Sequence, residues 1–422
     1  MNRIYNARFD ETYFHEILDN GLEVIIFHKP GFVSSFAAVG TAYGALGIKE
    51  RAGDRDYDFD PGTAHFLEHK LFESEDKNVF ERFSELGCNV NAFTSYHETV
   101  YHFSTASADI RRPLTELLGL VQKLDITEES VEKEKGIIIQ ELSMYMQDAD
   151  SRLLNETYAS LYHNYPLRFD IGGDTESVMR ISREELETCY RLNYHPSEMT
   201  MVIITPMDPE KVLECIKEDQ KNKGYVQSQK PRKRPVYEPD EVCRKEYSFN
   251  MDISAPKHVY ALKLKPDFRD KRDITYREWC LNFYLKACFS PLNSSYQKWL
   301  DEGLINDYFG YEVDLDDEYA NILFFCEGDT DLKKLVDEEL EKDLINEDIL
   351  RQIKRRYIGS SFRNFNDISG FGTGYIRDHL NGYDFFEVTG IMEDIEVEDL
   401  KRVFAETDRS NYALIHVFPS GK

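Results

Sequence analysis

Gly62-Thr63-Ala64-His65-Phe66-Leu67-Glu68-His69-Lys70 is the stretch on which the reading of this chain turns. As a helix it puts His65 and His69 at i and i+4, one turn apart on one face. Two imidazoles so placed can hold one Zn2+, each nitrogen roughly 2.0–2.1 Å from the metal. Glu68 follows His65 by three residues and shares that face, where its carboxylate can take a proton from a water that the metal activates. Thr63 reads as the N-cap, and Phe66 and Leu67 as the apolar opposite face. The order His-x-x-Glu-His is the reverse of the His-Glu-x-x-His zinc motif. Two readings stand on these residues alone: a zinc pair with its base, or two core histidines beside a surface glutamate. A third ligand has to come from elsewhere in the chain.

The chain has 422 residues, long enough for two domains of about 200 each. Its 41% apolar and 13% aromatic residues are ample for packed cores, which excludes a disordered protein. A net charge of −27 argues against a nucleic-acid partner and against electrostatic binding to an anionic membrane. It suits a basic peptide, or simply a dispersed acidic surface. Residues 1–6 open no long apolar run, so no secretory leader is expected, and no apolar stretch reaches 18 residues, so no membrane span is expected. Seven scattered cysteines include no Cys-x-x-Cys pair, which reads as reduced thiols and a cytoplasmic protein.

Around the histidine stretch, the spacing predicts strands at 22–27 and 33–39 and a polar loop over 44–61. A helix follows at 79–86, then a pair of strands at 91–95 and 99–103. Helices are predicted at 114–124, from 127 to 145 or beyond, at 150–162 and at 183–192, with a strand at 199–205. After a helix over 208–219, the polar, Pro-bearing stretch 221–240 reads as a linker. Its basic cluster, Lys230 to Arg234, reads as solvated, with docking on a partner or on an acidic surface of the chain itself as the other possibility. The domains are thus expected at 1–220 and 241–422. In the second half, strands are predicted at 259–264, 311–313, 322–326 and 412–418, and helices at 274–289, 292–302, 332–341, 346–362 and 397–405. A helix, a short polar turn and a terminal strand close both halves. Strands and helices without strict alternation favour an α+β class over a doubly wound sheet.

On the helix from residue 127, Glu134 and Glu141 are seven apart and share a face. One carboxylate can bind metal while the other holds a ligand histidine in place. The plain alternative is a solvated acidic helix.

Taken together, these motifs resemble a family. Leu18-Asp19-Asn20-Gly21-Leu22-Glu23-Val24 is similar to the opening strand of the insulinase/pitrilysin zinc peptidases, the inverzincins, which include the mitochondrial processing peptidase. The His65 to His69 motif, Leu86-Gly87 with Asn91-Ala92-Phe93-Thr94-Ser95 and Thr99-Val100-Tyr101, and the Glu134 to Glu141 helix follow in the family's order. Glu141 lies 72 positions after His69. The chain is therefore identified as a half-length, bacterial-type member. The resemblance implies one Zn2+ per chain held by His65, His69 and Glu141, with Glu68 as general base and Glu134 as a supporting carboxylate. It implies that Asn91, Ala92 and Thr94 lie on an edge strand that pairs with extended peptide substrate. It also implies two similar α+β domains, each a mostly antiparallel sheet packed with helices, forming half of a clamshell. The other half would be a second copy or a related half-length subunit, giving a homodimer or heterodimer. The activity implied is zinc metalloendopeptidase, with a non-catalytic or partner-dependent subunit as the alternative.

Two positions depart from the pattern. Lys70 stands where relatives often carry Met and is expected to pair with an acidic neighbour. The second-half stretch that holds substrate through an Arg and a Tyr here has Leu300 and Asn306 at those positions, with Tyr308 as a possible substitute.

Overall fold

Three strands rich in β-branched residues lie side by side at the centre of the first sheet in a computed structural model of the chain, which describes residues 1–73, 78–221, 223, 225 and 229–421. They are Glu23–His28, Met199–Thr205 and Ser35–Thr41, and every residue of the last two is buried. Burial on both faces explains why they read as continuous apolar runs rather than as an alternation. The sheet has seven strands in the order Asn2–Asn6, Glu11–Ile17, Glu23–His28, Met199–Thr205, Ser35–Thr41, Thr99–Thr105 and Cys88–Thr94. All neighbours run antiparallel except Glu23–His28 with Met199–Thr205. Cys88–Thr94 ends the sheet, paired with Thr99–Thr105 in a register that sets Thr94 opposite Thr99.

One face of this sheet, carrying Val24, Ile26, Ala37, Val39, Met201 and Ile203, joins a core with Phe66, Leu67, Leu114, Leu117 and Val212. The other face carries Phe27, Phe36 and Ile204, which meet the helix Ile368–Leu380. That helix escapes a reading of local pattern because Gly370, Gly372 and Gly374 lower its intrinsic propensity. Packing explains one of these glycines: a Cβ on Gly372 would lie 2.4 Å from the Phe36 ring.

The second sheet repeats the connectivity of five strands of the first. Glu246–Met251 runs parallel to the closing strand Tyr412–Pro419, as Glu23–His28 does to Met199–Thr205. Tyr412–Pro419 then pairs antiparallel with Lys257–Lys263, which pairs with Ala320–Glu327, and Gly310–Leu315 forms the edge. The recurring helix, turn and closing strand are thus the end of a repeated unit. The architecture is two similar α+β domains with sheets packed against helices.

Packing divides the chain into two compact units that interleave in sequence. The first comprises Met1–Leu142, Asp170–Pro235 and Phe362–Phe385; the second comprises Ser143–Phe169, Val236–Ser361 and Phe386–Lys422. The helix Ala149–Leu161 therefore lies in the second unit, against Lys257–Lys263 and Tyr412–Pro419.

Two local expectations change. The stretch 44–61, expected as a loop, contains a hairpin of Lys49–Ala52 and Arg55–Asp58. Its alternation is exposed, buried, exposed, buried over Lys49–Ala52, but the buried Glu50 hides the pattern by being polar. Glu50 is tolerated there because Asn193 Nδ2 donates to it at 2.9 Å. The basic cluster, expected as solvated, instead adds Arg232–Lys233 to this hairpin as a third strand. Arg234 reaches the Asp56 and Asp58 carboxylates and the Tyr57 carbonyl. Within 221–240, residues 222, 224 and 226–228 lie outside the described residues.

Candidate metal centre

The motif stretch folds as the helix Thr63–Phe72. Gly62, not Thr63, is its N-cap: Gly62 has φ +95, and a Cβ there would lie 2.4 Å from the Gly172 carbonyl oxygen. Only glycine suits that backbone and that close approach. Thr63 is the first helical residue, and its hydroxyl interacts with the Asp60 carbonyl at 2.8 Å and Glu185 Oε1 at 2.9 Å. Glu185, from the helix Arg183–Asn193, also accepts from the Asp60 N–H at 2.7 Å. The first turn thus gains an acidic partner that no local pattern reveals.

Phe66 and Leu67 are buried as expected, and so is Lys70. The Lys70 ammonium meets the Glu73 carboxylate and the Ser130 carbonyl (3.2 Å), with Glu134 at 4.0 Å. Burial pulls the Lys70 pKa down, and Glu134 partly offsets that. Lys70 is therefore accommodated by acidic neighbours, as its position requires.

The other face of the helix holds the candidate ligands. His65, His69 and Glu141 each offer a ligand atom, and these atoms lie within 4.8 Å of one another. Glu141 Oε2 stands 3.3 Å from His69 Nε2 and 3.9 Å from His65 Nε2. Ligands of a tetrahedral zinc at 2.0–2.1 Å stand about 3.3 Å apart, which the Glu141–His69 separation matches and the 3.9 Å to His65 exceeds. Glu134 lies on the far side of the His69 ring, with Oε1 3.0 Å from Nδ1. That is the orienting carboxylate–histidine contact seen behind metal ligands, and it leaves Nε2 facing Glu141. His65 Nδ1 is buried with no hydrogen-bond partner among the described residues, so its Nε2 is the ring atom with polar company.

The protonation tendency of His65 agrees with metal binding. Burial, reinforced by the neighbouring His69, brings His65 down to about 4, which keeps its ring neutral at physiological pH. Burial would lower His69 as well, but its contact with Glu134 and the charge of Glu141 outweigh that and raise it. The bond to His69 holds the Glu134 carboxyl below its ordinary value. Two imidazoles, a carboxylate and an outer carboxylate are the donor types zinc prefers; His69 holds its proton more tightly than an ordinary histidine and would release it on binding the metal.

Glu68 is held from a different direction. The Thr94 hydroxyl donates to Glu68 Oε2 at 2.7 Å, from the end of the edge strand. Burial raises the Glu68 carboxyl above its ordinary value, and Thr94 partly offsets the shift. Asn91 is exposed on the same strand, with its Oδ1 accepting from the Ala92 N–H at 3.0 Å, and Ala92 packs partly against the core. The structure thus brings Glu68, His65, His69, Glu141 and Glu134 together, with Thr94 in contact with Glu68. In the second unit, Asn306 Nδ2 donates to Glu327 (3.1 Å), and the Tyr308 hydroxyl donates to Asp150 (2.6 Å) beneath Lys257. Leu300 is half-buried.

Two family models match the chain in succession: insulinase (peptidase family M16) over residues 42–175 and the peptidase M16 inactive domain over 180–357. An uncharacterised zinc protease of Bacillus subtilis, YmfH, is 33% identical over 412 residues, covering 94% of each chain. The chain belongs to the insulinase family. The beta subunit of the bovine mitochondrial-processing peptidase is 27% identical over 183 residues, 42% of this chain and 37% of that one. Among known folds, an M16-like peptidase from Alicyclobacillus acidocaldarius superposes with a TM-score of 0.90 at 27% identity, covering 97% of this chain and 99% of the other. Pitrilysin shares the fold at 15% identity and TM-score 0.72; the match takes in 99% of this chain but 46% of pitrilysin. The insulinase-family match over 42–175 takes in all the candidate ligands, Glu68 and the edge strand.

Proposed function

We propose that the chain is a zinc metalloendopeptidase acting on peptides or unfolded polypeptide segments. The observation that carries this reading is the His65, His69 and Glu141 triangle with Glu68 on the same helical face. Three protein donors leave a fourth position open, as in catalytic rather than structural zinc sites. When bound there, zinc supplies Lewis-acid polarisation of a carbonyl and lowers the pKa of water towards about 7.

The chain's own residues supply the rest. Glu68 accepts the proton of the attacking water on its carboxylate and delivers it to the leaving amine nitrogen. Its raised carboxyl makes it a stronger proton acceptor than an exposed glutamate. Thr94 aims that carboxylate through its 2.7 Å bond, and Glu134 fixes the His69 ring. The free side of Cys88–Thr94 pairs with extended substrate by strand addition, with Asn91 and Ala92 beside the scissile segment. Because Thr94 belongs to that strand, substrate pairing and base orientation share one element.

The decisive test measures zinc content and peptide cleavage in wild type, Glu68→Gln and Glu141→Gln. Glu68→Gln is expected to keep zinc and lose about 10²–10⁴ in kcat. Glu141→Gln is expected to lose both zinc and cleavage. Undiminished cleavage by Glu68→Gln would sink the assignment.

A second reading is favoured by Leu300 and Asn306, which replace the arginine and tyrosine expected of a substrate-holding second half. In it, the chain works only when paired with a second copy or a related half-length subunit, as one half of a clamshell. Sedimentation at micromolar concentration is then expected to give a dimer, or cleavage to appear when a related subunit is added. A fully active monomer would refute the pairing.

A further inference from the structure

In the three-stranded sheet, Arg232 stands directly opposite Arg51, and Lys233 opposite Glu50. Like charges facing each other across strands destabilise the pairing. Glu50 feels the Lys233 charge but is 4% exposed and bonded to Asn193 in the interior, so it makes no ion pair with Lys233. With Lys230, Arg234, Gly53 and Pro235, the residues Arg51, Arg232 and Lys233 line an open pocket of about 650 Å³. Arg51 and Arg234 share the Asp56 carboxylate. Lys230, Arg232 and Lys233 are exposed and have no hydrogen bond or ion pair from their side chains among the described residues. Arg234 also meets the Asp58 carboxylate, so of the five cations Lys230, Arg232 and Lys233 are the ones without an ion pair among the described residues, in a chain of net charge −27.

We propose that this pocket binds a phosphate chain such as pyrophosphate or tripolyphosphate, either free or as the tail of a nucleotide. Guanidinium forks match phosphate oxygens in pairs, and lysine ammonium groups serve as point charges to the same oxygens. The volume is in the range of small-ligand sites, which favours a compact polyanion over an extended acidic peptide. Apart from its five cations the lining is Gly53 and Pro235, which offers no aromatic platform for a nucleobase. Affinity therefore resides in the phosphates. A bound anion offsets the Arg51–Arg232 repulsion and holds the Arg232–Lys233 strand on the hairpin.

The test is calorimetric titration of the full chain with tripolyphosphate and, separately, with ATP and a glutamate-rich peptide, at about 0.15 M salt so that general electrostatics are screened. Expected results are one saturable site, similar affinity for tripolyphosphate and ATP, and slower trypsin cleavage after Arg232 and Lys233 when the anion is present. The variant Lys230→Gln/Arg232→Gln/Lys233→Gln loses three charge-assisted contacts and is expected to bind about a hundredfold more weakly or worse. Its zinc content and peptide cleavage are expected to match wild type, and its melting temperature is expected to equal or exceed that of wild type because the Arg51–Arg232 repulsion is removed. Zinc chelation by the phosphates affects both proteins alike and cancels in the comparison. Equal binding by the variant overturns the site. Binding of ATP without tripolyphosphate, or of the glutamate-rich peptide alone, overturns the ligand.

Discussion

Thr94 is the residue whose role changes most between sequence and structure. As part of Asn91-Ala92-Phe93-Thr94 it reads as one more edge-strand contact, yet its hydroxyl holds Glu68 at 2.7 Å. A hydrogen bond to a charged group contributes about 1.5–3 kcal/mol. Thr94→Val is therefore expected to lower kcat by about tenfold to a hundredfold while zinc content stays that of wild type. Thr94→Ser, which keeps the hydroxyl, is expected to recover most of the loss. A Thr94→Val protein with wild-type kcat would show that Glu68 is oriented by something else. The shared face of the histidine pair and Glu68, and that of Glu134 and Glu141, are legible in the sequence because helical spacing is a local property, whereas pairing Glu141 with the histidines came from the family resemblance. Thr94 bonding Glu68, and Glu185 bonding Thr63, are not legible, because they join residues 26 and 122 positions apart.

Among the elements, the helix Ile368–Leu380 shows how packing overrides propensity. Its Gly372 sits against the Phe36 ring and Ile204, so a Cβ there forces a shift in a close-packed layer. Gly119, inside the helix Arg111–Val121, has no neighbouring atom within 4 Å of the same point. Gly372→Ala is expected to cost about 1–3 kcal/mol despite alanine's better helix propensity. Gly119→Ala is expected to add about 0.5–1 kcal/mol. Urea midpoints of the two variants check both signs, and a stabilised Gly372→Ala would mean that the helix does not pack this closely. The same helix is tied to the first sheet by His379 Nε2 to Glu23 Oε2 (2.8 Å) and by Arg377 Nε to Glu98 Oε1 (2.8 Å).

At the scale of the whole molecule, those ties carry a pH dependence. Burial alone would lift Glu23, but bonds with His379, His15 and Thr200 and the His379 charge bring it from near 4.5 to about 2. A carboxyl depressed in the folded state contributes stability that is complete above about 4.5 and is lost as pH falls towards 2. Acid unfolding of wild type is expected to steepen across that window, and Glu23→Gln to flatten this part of the profile. An unchanged slope in Glu23→Gln would remove Glu23 from the acid response. No helix among the described residues is long and apolar enough to cross a membrane.

The sequence by itself determined the α+β class, the histidine helix with Glu68 on its face, the glutamate helix, and the helix, turn and strand that close each half. Each of these is written in a repeat of two or of 3.6 residues, and such repeats survive without knowledge of the rest of the chain. Only the tertiary structure decided that the Thr94 hydroxyl reaches Glu68, that Glu134 faces His69 Nδ1 while Glu141 faces Nε2, and that 362–385 belongs with the first unit. Those outcomes depend on which distant surfaces are buried together. Strand order, ring orientation and shared cores are set by contacts between segments up to 356 positions apart, such as Glu23 with His379, and no local periodicity encodes them.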